Sequence, residues 1–280
     1  MQLYTINTGN FKLDGGAMFG VVPKVLWSRN YPADENNYCT WALRCMLAVD
    51  GNRKILIDTG IGDKQSAKFF GHYHLHGEDS LKKSLHALGY SFDDITDVVH
   101  THLHFDHCGG SVKRNADKTG YEPAFPNANF WVSRTQFEWA VDPNLREKPS
   151  FLPENILPMQ ESGRLKLIEK EGELFPGFKV RIFNGHTRGQ IIPHISYKGK
   201  TVVFMGDLMP SAAHIPLLYI MAYDIDPLLT IRERLRFFEE AINREYILFF
   251  EHDHYHECCT LKKTEKGVRP DRFFRIDEIR

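Results

Sequence analysis

Apolar runs of strand length recur along the chain and predict a mixed α/β protein. Residues 40–49 (TWALRCMLAV) and 54–57 (KILI) are two such runs, separated by Asp50-Gly51-Asn52. Asp-Gly between apolar runs signals a hairpin, because glycine accepts the positive φ of a tight turn. Further strands are predicted at 97–101, 129–132, 179–184, 194–197, 201–205 and 246–250. The stretch ISYKGKTVVF again carries a short turn containing glycine.

Helical spacing alternates with these runs. Residues 80–88 place Leu81, Leu85 and Leu88 on one face. Residues 133–141 open with Ser133 and have Gln136 three positions later, a capping-box pattern. The clearest helix spans 227–244. Asp226 can cap it, Pro227 suits its first turn, and Leu228, Ile231, Leu235, Phe238 and Ile242 form one apolar stripe. Early hairpins followed by mixed strands and helices predict a sandwich with helices outside. The proline-rich stretch 142–158 reads as an insertion loop, leaving residues 1–280 as a single domain.

Composition narrows the picture. The chain has 280 residues, 42% hydrophobic and 25% charged, enough for a sizeable core and unlike a disordered chain. Lys and Arg total 35 against 36 Asp and Glu, so no basic excess exists to neutralise nucleic-acid phosphates. Cys39, Cys45, Cys108, Cys258 and Cys259 show no C-x-x-C pair and read as reduced thiols of a cytoplasmic protein. The N-terminus lacks a basic region followed by an apolar one, so no secretory leader is expected. The apolar stretch 211–223 is broken by His214 and Pro216, and is shorter than the roughly 20 residues that cross a bilayer.

Histidine changes the reading most. Of 14 in the chain, four fall in the segment Val98-Val99-His100-Thr101-His102-Leu103-His104-Phe105-Asp106-His107-Cys108-Gly109-Gly110. Residues two apart in an extended chain face the same side, so His102 and His104 can face one metal ion. Asp106 and His107 follow on a turn and can face a second. Such a cluster is costly to bury without a cation. Imidazole with carboxylate suits Zn²⁺ and its first-row neighbours Mn and Fe.

This His-x-His-x-Asp-His segment resembles the signature of the metallo-β-lactamase superfamily, and further motifs follow in order. Ile55-Leu56-Ile57-Asp58-Thr59-Gly60 resembles its early strand, and Gly185-His186-Thr187-Arg188-Gly189 its third metal motif. Phe204-Met205-Gly206-Asp207 resembles the strand that delivers a bridging aspartate, and Phe250-Glu251-His252-Asp253 the last strand and its histidine. The resemblance implies a four-layer αββα sandwich holding two divalent ions. His102, His104 and His186 would hold one ion, Asp106, His107 and His252 the other, and Asp207 would bridge them. Asp58 would orient a ligand histidine from behind. His252 is chosen over His254 and His256 because it comes first after the apolar strand. His72, His74 and His76 read as a solvated loop, and Cys108 as a core side chain.

The implied reaction is metal-assisted hydrolysis. Ions about 3.5–4 Å apart share a hydroxide that attacks a small-molecule substrate, with Asp106 orienting it and carrying a proton to the leaving group. The form HLHFDH-x-GG is similar to the lactonase-like branch and points to an ester, lactone or related substrate. Lactonases of that branch carry tyrosine three residues after the bridging aspartate, where this chain has Pro210. Tyr219 or Tyr223 is the candidate to reach in instead, with core packing as the rival reading. The apolar segments 17–27 and 209–223 are expected to wall the entrance, with a homodimer interface or plain core as the rival reading of both. A metal-binding protein of the same fold without turnover is the alternative function.

Overall fold

Strand pairing divides the chain between two large sheets. In the computed structural model, which describes residues 1–280, six strands lie in the order Gln2–Asp14, Tyr38–Asp50, Arg53–Ile57, Asp97–Val99, Asn129–Ser133 and Leu165–Ile168. Seven lie in the order Gly267–Phe274, Cys258–Thr264, Ile247–Phe249, Lys200–Phe204, Gln190–Tyr197, Phe178–Phe183 and Gly172–Phe175. The predicted Asp-Gly hairpin is present: Asp50 pairs with Arg53, and Gly51 has φ +57°. Sequence patterning missed the first strand and the C-terminal hairpin. Both mix polar side chains among half-buried positions instead of alternating cleanly.

Alternation along each strand builds the layers. Ile55 and Ile57 point into a core shared with Val202, Phe204, Ile247 and Phe249 of the other sheet. Leu56, between the first two, points the other way, to a cluster with Leu85, Phe130, Phe137 and Met159 under the helices Leu81–Ala87, Arg134–Val141 and Pro153–Glu161. Val203 and Leu248 likewise face Phe237, Phe238 and Ala241 of the helix Pro227–Asn243. The result is helix, sheet, sheet, helix, the sandwich that the motif resemblance implies.

Two helix expectations are corrected. The long helix does not bury the stripe read from the sequence: Phe238 is buried, but Leu228 is 67% and Leu235 46% exposed. Its buried face is Thr230, Arg234, Phe237, Phe238 and Ala241. Arg234 sets that orientation. Its Nε donates to Leu208 O at 2.7 Å, and its Nη1 donates to His214 O at 3.1 Å and Tyr219 O at 2.8 Å. A fully buried guanidinium needs such acceptors, and through Nε and Nη1 it ties down the loop after Asp207, with Nη2 left unpartnered. The second correction concerns 142–158, where the chain forms the helix Pro153–Glu161 and sends Glu147 inward.

The segment 17–27 is divided: Met18, Phe19 and Trp27 are buried, whereas Val21 and residues 23–26 are exposed. Phe19 stacks on Trp27 at 5.0 Å and on His214 at 4.6 Å between ring centroids. Phe19→Ala should therefore cost about 3–5 kcal/mol in urea unfolding. An unchanged unfolding midpoint together with a raised KM would contradict that placement.

Candidate metal centre

Five strands end at one edge of the sandwich, and the chemistry-bearing loops begin there. Asp58 follows Arg53–Ile57, the His100–His107 segment follows Asp97–Val99, and His186 follows Phe178–Phe183. Asp207 follows Lys200–Phe204, and His252 follows Ile247–Phe249. Strand ends of this kind are where open α/β sheets place ligands. The short helix Phe105–Cys108 carries Asp106 and His107. The following glycines are needed for close approach, not for an unusual turn: a Cβ on Gly109 would lie 2.1 Å from Ile61 O, and one on Gly110 2.2 Å from Thr59 O. Cys108 points into the core, as expected.

All seven sequence-identified candidates come together. His102 Nε2 lies 3.0 Å from His104 Nδ1, and His186 Nε2 lies 3.2 Å from that same atom. Asp207 Oδ2 is 3.9 Å from His102 Nε2 and 3.2 Å from His186 Nε2. Beside them, His107 Nε2 and His252 Nε2 are 3.2 Å apart, and Asp106 Oδ2 is 3.8 Å from the first and 3.7 Å from the second. Asp207 also reaches this group, with Oδ2 3.6 Å from His107 Nε2 and Oδ1 3.3 Å from His252 Nε2.

These distances test whether a cation fits. Four donors about 2.1 Å from a tetrahedral ion are about 3.4 Å apart, close to the nitrogen spacings here. Buried ring nitrogens converge on one another, and Asp207 Oδ1 is buried with no hydrogen-bond partner. The donor set fits two ions that share Asp207. Electrostatics agree. Burial and the neighbouring rings hold His102 well below its ordinary pKa, so its ring is neutral. Burial also opposes charge on His252, yet Asp207 pushes it up to about 9. Burial would raise the Asp207 carboxyl, but His107, His186 and His252 hold it well below the usual carboxylate range.

Each ring is also held from behind, the outer arrangement that orients metal-ligating histidines. His107 Nδ1 donates to Asp58 Oδ2 at 3.1 Å, and Asp58 accepts from Thr101 N at 2.8 Å and Thr101 Oγ1 at 2.6 Å. His186 Nδ1 donates to Asp224 Oδ1 at 2.9 Å, and His252 Nδ1 to Ala42 O at 2.8 Å. His104 Nε2 faces Glu147 Oε1 at 3.5 Å. Asp58 is the carboxylate the motif pointed to. Glu147, Asp224 and Glu251 were missed; the first two lie in segments with no motif of their own. Gln136 was read as half of a capping box. Ser133 Oγ does cap Gln136 N at 3.0 Å, but the Gln136 side chain turns to the site loops, accepting from Leu103 N and donating to Arg188 O.

A cavity of about 480 Å³ opens onto this centre, with His104, Asp106, His186, Asp207 and His252 at its floor. Its wall includes Phe11, Leu13, Met18, Tyr73, Phe105, Met221 and Tyr223. Of the two apolar segments, 17–27 contributes Met18 and 209–223 contributes Met221, Ala222 and Tyr223. Tyr219 packs on Phe19 instead. His72, His74 and His76 are solvent-facing, as expected, while Tyr73 between them borders the cavity. His254 is exposed and lies 3.2 Å from Asn10 Oδ1, away from the inward set.

Fold and site together define a metal-dependent hydrolase, and comparison with known proteins agrees. The metallo-beta-lactamase superfamily model matches residues 44–242, and the chain belongs to that superfamily. A probable metal-dependent hydrolase from Staphylococcus aureus is 33% identical and superposes with a TM-score of 0.88 over 98% of this chain and 96% of that one. N-acyl homoserine lactonase AiiA from Bacillus thuringiensis subsp. kurstaki is 27% identical over 198 residues, 67% of each protein. AidC, a dizinc quorum-quenching lactonase in complex with a homoserine product, shares the fold at 21% identity and a TM-score of 0.79, covering 98% of this chain and 95% of its own. The chain is thus related to lactonases. No helix in it is long and apolar enough to cross a membrane.

Proposed function

We propose that this chain is a dinuclear hydrolase of a small ester, lactone or related neutral substrate. His102, His104 and His186 hold one divalent ion, Asp106, His107 and His252 hold a second, and Asp207 bridges them. The observation that carries this reading is the inward set itself, five buried imidazoles and two carboxylates whose ligand atoms converge, with ring nitrogens 3.0–3.2 Å apart. Zn²⁺ suits these donors, and Mn and Fe share the preference. When bound, such a pair polarises a carbonyl oxygen and supplies a hydroxide nucleophile near neutral pH.

The chain's own residues do the rest. Asp106, at the cavity floor, orients the attacking oxygen and carries a proton to the leaving group. Phe11, Leu13, Met18 and Met221 receive the hydrocarbon part of the substrate, as apolar walls do around a polar focus. Tyr223 borders the same cavity and can donate to a substrate oxygen, a part that Pro210 cannot play. All 280 residues act as one domain, because the ligands come from loops of both sheets. The five free cysteines suit a reducing cytoplasm. Val21, Val25 and Leu26 face solvent beside the cavity segment and supply the contact a homodimer would use.

The test is a screen of the metal-loaded protein against chromogenic esters, phosphotriesters and lactones, N-acyl homoserine lactones among them. Hydrolysis of at least one, abolished by a chelator, is expected. A protein that binds both ions and turns over none would instead be a binding scaffold. A narrower test concerns the last ligand. His252→Ala should lose the second ion, while His254→Ala should keep both ions and most of the activity. Elemental analysis of the two variants decides between them, and the reverse pattern would move the ligand to His254.

A further inference from the structure

Four buried carboxylates stand behind the ligand rings, and one differs from the rest. Asp58 is satisfied by Thr101, Asp224 accepts from Thr230 Oγ1 at 2.8 Å, and Glu147 Oε2 accepts from Trp139 Nε1 at 2.7 Å and Asn144 Nδ2 at 2.6 Å. Each of these three has a donor of its own besides the ring it faces. Glu251 has none. It is fully buried, and neither of its oxygens has a hydrogen-bond partner. Its nearest charged or polar neighbour is His107, whose Nδ1 lies 3.0 Å from Glu251 Oε2. That nitrogen is already hydrogen-bonded with Asp58 Oδ2, 3.1 Å away. Two carboxylates therefore crowd the back of one ring, and only one of them receives the hydrogen bond.

An ionised carboxylate buried with no donor costs free energy, and a positive charge close by offsets that cost. No Lys or Arg pairs with Glu251. The nearest place for a positive charge is the far side of the same ring, at His107 Nε2, where the inward set gathers. We infer that Glu251 is a positioning residue for the second metal ion: its charge is matched through the His107 ring by the ion on Nε2, and it makes His107 a stronger ligand than Asp58 alone would. This inference rests on the assignment of His107 as a ligand. The coupling is reciprocal, so an ion that stabilises Glu251 must itself be held more tightly because Glu251 is there. It also follows that Glu251 works against the metal-free protein and for the loaded one. An ordinary packing residue would support both equally.

The test uses the full chain and zinc as the probe, read out by metal binding and thermal unfolding without reference to activity. Glu251→Gln keeps the shape and removes the charge, and Glu251→Met keeps the volume and removes the polar group. Zinc affinity is measured against a competing chromophoric chelator. Both variants should bind the second ion about 10–100-fold more weakly, the usual cost of losing an outer partner. In metal-free form both should melt at or above the wild-type temperature, so the gain in Tm on zinc loading shrinks. Second-site affinity within twofold of wild type would overturn the inference. So would equal losses of Tm in the metal-free and loaded forms, which would leave Glu251 a packing residue. His107→Ala separates the two levels of the argument. If it loses one ion while Glu251→Gln does not, the ligand assignment stands and the inference about Glu251 falls. If His107→Ala still binds two ions as wild type does, the ligand assignment falls, and the inference with it.

Discussion

Replacing Asp106 by asparagine should lower kcat by about 10²–10⁴-fold, the usual size of a general acid–base contribution. Asp106 is the one carboxylate of the inward set carried on the His-x-His-x-Asp-His turn, and its Oδ2 sits 3.8 Å from His107 Nε2 and 3.7 Å from His252 Nε2. It also lines the cavity floor, where a substrate would meet it. Asparagine keeps the shape and one oxygen, so the fold should be undisturbed and the metal-free variant should unfold at the denaturant concentration of the metal-free wild type. What it loses is the charge that helps hold the second ion and the basic oxygen that accepts a proton. Steady-state kinetics on a substrate found by the screen, with metal content measured on the same samples, separates the two losses. Near-normal turnover with both ions in place would remove Asp106 from the mechanism.

Stripping the ions should have the second large effect, on activity and stability together. Asp207, Asp106, Glu251, Glu147, Asp58 and Asp224 are all buried in or behind the centre, with no Lys or Arg paired to any of them. With the ions gone, that negative charge is balanced by imidazoles alone. An ion present at about 1,000 times its Kd stabilises the native state by about 4 kcal/mol. For a chain of this size that corresponds to a fall in Tm on the order of 10 °C. A chelator such as EDTA should therefore abolish hydrolysis and lower the melting temperature, and added zinc should restore both. A melting temperature indifferent to chelator would mean that the buried carboxylates are compensated in some other way.

The residues that converge at the site were legible because their signal is local. Residue types at two-residue spacing, followed by a turn, define which side chains share a face, and Asp58, His186, Asp207 and His252 each sit one to three residues past an apolar strand. The sandwich was legible for the same reason: Ile55, Leu56 and Ile57 are all apolar because both faces of their strand are covered. Partners that depend on where the chain goes next were not legible. Glu147 lies in a stretch that reads as a surface loop, and Asp224 precedes the long helix with nothing to mark it. Glu251 was in view beside His252, yet no spacing rule says that it turns to the back of His107. The helix stripe failed because Arg234 is buried through three carbonyls from a distant loop. That contact outweighs the apolar pattern that would have buried Leu228 and Leu235.

The central claim is that seven side chains hold two ions with Asp207 between them. Elemental analysis of the protein, loaded to saturation and freed of loosely bound metal, tests it most directly, alongside Asp207→Ala. The account predicts two ions per chain in the wild type, and fewer than two in the variant because both positions lose a shared ligand. One ion per chain at saturation, or an Asp207→Ala protein that still carries two, would contradict it.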